Sequence, residues 1–273
     1  MNIDNNSPIG VFDSGIGGLT VVREIMRNLP SEKIVYFGDT ARVPYGSKSR
    51  QTIIRFSRQI IRFLKDQHVK AIVIACNTAS ALALDTVREE AGLPVLGVID
   101  AGAQVAAEVT RNNRIGVIGT EGTIRSRIHE SRLRSLNPAV TVFGKACPLF
   151  VPLVEEGWLH DQVTVEVARR YLYELKDLDI DTLIMGCTHY PLLRSVIHDV
   201  MGDHVRLVNP AYETALELKT VLGEMKLACD DQIREELSHR FYVSDLAEKF
   251  RRFASSILPY DSIMTEEVDI ERY

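Results

Sequence analysis

Two cysteines stand where chemistry is expected. Residues 69–80 read VKAIVIACNTAS: an apolar run ends in Cys76, and the hydrogen-bonding pair Asn77 and Thr78 follows at once. Residues 180–191 repeat the arrangement as IDTLIMGCTHYP, with Cys187 followed by Thr188 and His189. A thiol at a strand end that opens a helix meets the positive end of the helix dipole, which is expected to lower its pKa from the free value of about 8.5. One such thiol is a candidate nucleophile or redox sensor. A matched pair suits a different task, the inversion of a stereocentre, with a base on one face of the carbon and an acid on the other. Each thiol then needs an assistant to manage its proton: Asp13 near Cys76, and His189 beside Cys187.

Competing readings apply to each residue. A cysteine at a strand end is more often a small buried hydrophobe. That reading covers Cys229, which has no motif around it, and Cys147 in Ala146-Cys147-Pro148. For Cys76 and Cys187 the repetition and the polar followers favour function. A metal held by Cys187, His189 and Cys76 is the weakest alternative, so no metal is expected. The four cysteines lack a C-x-x-C pair and are expected to be free thiols. His68, His129, His160, His198 and His204 sit in polar stretches and are expected at the surface, while His239 has no assigned place.

The elements that must hold these residues follow from periodicity. A buried strand at 9–13 (IGVFD) runs into the turn Ser14-Gly15-Ile16-Gly17-Gly18 and then a helix with Leu19, Val22, Met26 and Leu29 on one side, ended by Pro30. The turn fails as a dinucleotide fingerprint because Thr20 stands where a third glycine belongs, and no Gly-Lys-Ser/Thr follows. Two readings of it remain open: backbone N–H groups aimed at a carboxylate or phosphate, or tight packing of helix on strand. A strand at 34–38 leads through Val43-Pro44-Tyr45-Gly46 to an amphipathic helix at 48–67, whose arginines (50, 55, 58, 62) read as a solvated face. A strand at 71–75, a helix at 79–90 and a strand at 95–99 complete the first pass.

The pattern then restarts. IGVIG at 115–119 echoes IGVFD at 9–13, and VTVFG at 140–144 echoes IVYFG at 34–38, both 106 positions on; the cysteines are 111 apart. This is an internal duplication of a βα unit, which predicts two pseudo-symmetric α/β halves with mostly parallel sheets and right-handed crossovers. Ligands bind beyond the carboxyl ends of such strands. Asp13, Asp39, Cys76, Thr120 and Cys187 all lie there, so the site is expected in the cleft between the halves. Helices at 211–225 and 231–238, a strand at 241–244 and a helix through Ile257 follow; the tail from Pro259 has no usable period and is expected to be ordered only by docking.

Bulk properties exclude several classes. A net charge of −5 argues against a nucleic-acid partner. No apolar run approaches the roughly 18 residues of a membrane span, and the first residues, MNIDNNSPIG, lack an export signal. A cytoplasmic, membrane-free protein is expected.

Four motifs together carry a family resemblance: Asp13-Ser14-Gly15-Ile16-Gly17-Gly18-Leu19-Thr20, Val43-Pro44-Tyr45-Gly46, Ala75-Cys76-Asn77-Thr78-Ala79-Ser80 and Gly186-Cys187-Thr188-His189-Tyr190-Pro191. In order and content they resemble the glutamate racemases of the aspartate/glutamate racemase family, from about residue 9 to about 225. The resemblance implies cofactor-independent interconversion of L- and D-glutamate, supplying D-glutamate for peptidoglycan and cell shape. It implies two domains, 1–98 plus 210–273 and 99–209, with the chain end returning to the first, and a homodimer as the assembly. Cys76 would act on the D-enantiomer and Cys187 on the L-enantiomer, helped by Asp13 and His189. Ser14, Tyr45, Gly46, Asn77, Thr78 and Thr188 would bind glutamate, with Thr120 and Thr123 lining the same pocket. Asp39 and Glu155 match acidic family positions. His129 departs from the family, which favours an aromatic there. Two alternatives stay open: an aspartate racemase or related two-cysteine isomerase or decarboxylase, and a binding protein with a dead cleft.

Overall fold

The computed structural model describes residues 3–229, 239–259 and 263–273. The first wave of the chain is β1 (Ile9–Asp13), α1 (Leu19–Asn28), β2 (Ile34–Gly38), α2 (Arg50–Asp66), β3 (Ala71–Ile74), α3 (Asn77–Ala91) and β4 (Val95–Gly97). The second begins with α4 (Val98–Val109), β5 (Arg114–Gly119), α5 (Glu121–Ser126), α6 (Ile128–Leu136) and β6 (Thr141–Ala146). It continues through α7 (Phe150–Glu155), α8 (Gln162–Lys176), β7 (Thr182–Gly186), α9 (Arg194–Met201) and β8 (Arg206–Val208). The chain closes with α10 (Pro210–Glu224), β9 (Arg240–Val243), α11 (Ala247–Ile257) and β10 (Thr265–Glu267).

The strands form two parallel sheets, ordered β10-β9-β2-β1-β3-β4 and β6-β5-β7-β8. The shared order, second-first-third-fourth, is the duplication made visible. Ile9 pairs with Ala71, and Ile115 with Thr182, so an offset of 111 carries one cysteine strand onto the other in register. The β2 and β6 match needs correction. Ile9 faces Ile34 but Ile115 faces Val142 rather than Val140, so β6 is slid by two residues and runs to Ala146. A slip of two keeps every side chain on its face, which is why the apolar pattern alone did not expose it.

Burial on both faces explains why the strands read as continuous apolar runs. In the first sheet Ile9, Val11 and Tyr36 point into one core with α1, α10 and α11, while Phe12, Val35 and Phe37 point into the other with α2 and α3. The second sheet has Ile118, Leu183 and Met185 on the side of α7, α8 and α9, and Val117 and Ile184 on the side of α4 and α6. Helix α10 packs against both α1 and α4 and so bridges the halves.

Two further differences from the sequence expectation have physical causes. The strand expected at 95–99 stops at Gly97, which caps α4; the β-branched Val98 and Ile99 are buried in that helix's first turn. Tertiary burial overrides their strand preference. The tail is ordered by docking, as expected: β10 pairs with β9, Ile270 is buried, and the Arg62 guanidinium donates to the Tyr273 carbonyl at 2.6 Å. The helix expected at 231–238 lies outside the described residues.

Candidate active site

The carboxyl ends of the strands converge on one cavity of about 260 Å³. The first half supplies Ser14, Tyr45, Gly46, Cys76, Asn77 and Thr78 to its wall. The second supplies Thr120, Glu155, Cys187, Thr188 and His189. Asp13, Asp39 and Thr123, also expected here, stand one layer back. Val43 and Pro44, from the Val43-Pro44-Tyr45-Gly46 motif, join Val151 and Pro152 to give the cavity an apolar side.

Cys76 caps α3, its sulfur accepting from the Ala79 N–H at 3.4 Å and its S–H reaching the Ser14 hydroxyl at 3.5 Å. The expected lowering of its pKa by the helix start does not occur. Burial and then the Asp13 carboxylate push the thiol up to about 12, and these outweigh the Ala79 and Ser14 contacts. Asp13 is buried as well. Desolvation raises its pKa, offset in part by His189 and by the N–H groups of Gly15, Gly18 and Ser14. The Gly15 N–H donates to Asp13 at 3.0 Å. Backbone donors of the glycine turn therefore hold a carboxylate, but that of Asp13 itself.

Tight packing is the turn's second task. A Cβ on Gly17 would lie 2.4 Å from both the Thr188 hydroxyl and the His189 ring, so the first half's turn is the bed on which the second half's Cys187 loop rests. Thr20 ties the same loop, donating to the Thr188 carbonyl at 2.9 Å. The packing reading of the turn therefore holds, and the backbone donors seen there serve Asp13.

Around Cys187 the chemistry differs. Its sulfur lies 3.8 Å from His189 Nδ1, and Nε2 of that ring lies 3.3 Å from a Glu155 oxygen. Burial alone would lower the His189 pKa; hydrogen bonds to Cys187 and Glu155, with charge from Cys187 and Asp13, raise it to about 10. Burial would raise Glu155, but His189 and Lys249 hold it down at about 2. An imidazolium clamped by a carboxylate faces this thiol at neutral pH.

The remaining expected residues form the frame. Thr78, Thr120 and Thr123 place their hydroxyls 3.0 to 3.4 Å apart, joining the starts of α3 and α5 across the cleft. Tyr45 donates to Asp39, which also accepts from Arg42 at 2.7 Å and Ser244 at 2.9 Å. Asp39 thus supports a wall residue from behind. A Cβ on Gly46 would meet Thr120 at 2.8 Å, so glycine lets the two halves approach. Among the described residues, no group of three or more His, Cys, Asp or Glu side chains is placed to hold a metal ion.

His129 is a correction. It is 3% exposed, neither ring nitrogen has a partner, and it packs beside Gly186 at the end of the Cys187 strand. Its place in a helix rich in charge concealed that it faces inward. Cys147 is buried as expected, whereas Cys229 is only half-buried. Lys249 was missed because Glu248-Lys249 reads as a solvated helix face.

Two thiols delivered by equivalent strands of a duplicated parallel α/β scaffold to one cavity define the class: an isomerase that moves a proton at a chiral carbon. The chain belongs to the Asp/Glu/Hydantoin racemase family, whose model matches residues 9–217. It is 49% identical over 252 residues to the glutamate racemase of Geobacter metallireducens, covering 92% of both chains. The glutamate racemase isoform RacE1 of Bacillus anthracis superposes with a TM-score of 0.93 at 42% identity, over 97% of this chain and 98% of that one. The Francisella tularensis glutamate racemase, solved with D-glutamate, gives 0.90 at 42% identity, over 98% of this chain and all 100% of that one. Among the described residues no helix is long and apolar enough to cross a membrane.

Proposed function

We propose that this racemase interconverts L- and D-glutamate by direct proton transfer between the α-carbon and two thiols. The observation that carries this is the arrival of Cys76 and Cys187, from opposite halves, in one small cavity. With L-glutamate bound, the Cys187 thiolate, ion-paired with the His189 imidazolium, takes the α-proton. The Cys76 S–H, which burial keeps protonated, delivers its own proton to the opposite face. One C–H bond breaks and one forms, leaving Cys187 as thiol and Cys76 as thiolate. The reverse turnover, or exchange with solvent, restores the start. The substrate ammonium brings positive charge beside Cys76 and offsets the desolvation that disfavours its thiolate.

The α-proton of an amino acid is weakly acidic, so preorganised polar groups in a cavity that excludes water must supply the stabilisation. Threonine hydroxyls and N–H groups at the starts of α3 and α5 suit the two carboxylates of glutamate. One thiol removes the α-proton and the other supplies a different proton to the opposite face, so each is left in the state its partner began in. In the cell the product serves peptidoglycan synthesis in the cytoplasm. The chain works as a homodimer, with 1–98 plus 210–273 and 99–209 as its two domains; light scattering of the purified protein reads the assembly.

The direct test is incubation of purified protein with L-glutamate and, separately, L-aspartate, without added pyridoxal phosphate, followed by chiral separation. D-glutamate formation at a rate well above that of D-aspartate is expected. Preference for aspartate, or binding without turnover, would overturn the assignment.

A further inference from the structure

Glu155 has two carboxylate oxygens, and each is held from a different half of the molecule. Oε1 meets His189 Nε2 at 3.3 Å, within the second half. Oε2 accepts from Lys249 Nζ at 3.0 Å. Lys249 lies on α11, whose Phe250, Ala254 and Ile257 are buried in the core of the first sheet. The start of α11 is tied to that sheet's edge strand, with the Ala247 N–H donating to Glu267 at 3.3 Å. Helix α11 also sets the Phe253 ring 6.5 Å from the His189 ring. We infer that Lys249 is a positioning residue for the Cys187 thiol: it fixes Glu155, Glu155 fixes the His189 ring, and that ring meets the sulfur.

An exposed ion pair is ordinarily worth little, and Lys249 has 44% of its side chain exposed. What sets this pair apart is what the carboxylate does with its other oxygen. Freed of Lys249, Glu155 can turn towards the open depression it shares with Arg252 and Ser256, and the His189 ring then loses its distal acceptor. Among the described residues nothing equivalent stands behind Cys76, and the second sheet, β6-β5-β7-β8, shows no counterpart of β9 and β10. The added segment of the first sheet thus reaches over to complete the other half's catalytic group.

This inference rests on the two-thiol mechanism, and its test separates the two. The groups facing His189 are Cys187 on its own loop, Asp13 at the end of β1, Glu155 on α7, and Lys249 with Arg252 behind Glu155. The experiment compares the wild type with Lys249→Met and Lys249→Arg over the pH range, in both reaction directions, with thermal unfolding alongside. Enantiomers have an equilibrium constant of one, so kcat/KM must fall equally in both directions. Lys249→Met is expected to lose about fivefold, the scale of one partly exposed ion pair. Its alkaline limb, set by loss of the imidazolium proton, moves to lower pH because the ring has lost its acceptor. Lys249→Arg restores rate and limb. A Lys249→Met enzyme with an unmoved limb overturns the inference, whether its rate is normal or reduced with its Tm. Full activity of Cys187→Ser would instead sink the mechanism beneath it.

Discussion

The two halves share a strand order and carry a thiol at the same point of the third strand, yet they surround it with different chemistry. Cys76 caps a full helix, touches the Ser14 hydroxyl and sits against the buried Asp13. Cys187 is followed by a short 3₁₀ turn, Tyr190–Leu193, and meets an imidazolium backed by a carboxylate. Duplication therefore supplied equivalent positions, and the surroundings then diverged: burial and Asp13 hold the Cys76 proton in place, while Cys187 faces a protonated imidazole. A symmetric reaction is run by a site that is symmetric only in its backbone.

The largest effects should come from the thiols themselves. Cys76→Ser or Cys187→Ser is expected to cost roughly 10³-fold or more in racemisation in both directions, the scale of a lost acid/base group. Each variant should still fold, because the change is nearly isosteric, as circular dichroism would report. Near-normal turnover in either would break the pairing of the halves.

Next comes the contact between the halves. Gly17→Ala places a carbon about where Thr188 and His189 already are, 2.4 Å away, so the Cys187 loop must shift. A displacement of this size should cost about 10²-fold in kcat with a smaller loss of Tm. By contrast Gly223→Ala, near the end of α10, meets nothing within 4 Å and should leave rate unchanged.

The asymmetry also predicts a pH profile. His189 titrates at about 10, so kcat/KM should fall as pH rises through that value and the thiolate loses its counter-charge. Glu155 stays ionised down to about 2 and should add no limb near neutrality. His189→Gln should remove the alkaline limb while lowering the plateau about 10²-fold. Persistence of that limb in the variant would assign it to another group.

The last effect concerns stability rather than rate. Burial holds His129 at about 4 in the folded chain, against an unfolded value near 6.5. Between these values the unfolded state binds the extra proton, so stability falls as pH drops from about 6.5 to 4, by about 3 kcal/mol in all. His129→Phe should raise Tm and flatten that acid dependence, as calorimetry at stepped pH would show. An unchanged acid limb would place its origin elsewhere.

Much of this was legible in the chain because it is written in local pattern. The apolar runs ending in Cys76 and Cys187, and the repeat of IGVFD as IGVIG, are contiguous signals that strands buried on both faces must carry. What stayed hidden depends on distance or on desolvation. The slide of β6 preserves every face, and α4 is decided by what buries Val98. The orientation of His129 is set by α6 packing on the sheet, and the upward shift of Cys76 by the burial of its sulfur. Lys249 lies 94 residues from Glu155 in sequence, and no local spacing links them.

The central claim, that two thiols act on opposite faces, is tested most directly by turning over L-glutamate in D₂O. Early D-glutamate should carry one solvent deuterium at the α-carbon, while recovered L-glutamate remains protiated. D-glutamate that retained the substrate's own proton would mean one base serving both faces, and would contradict the account.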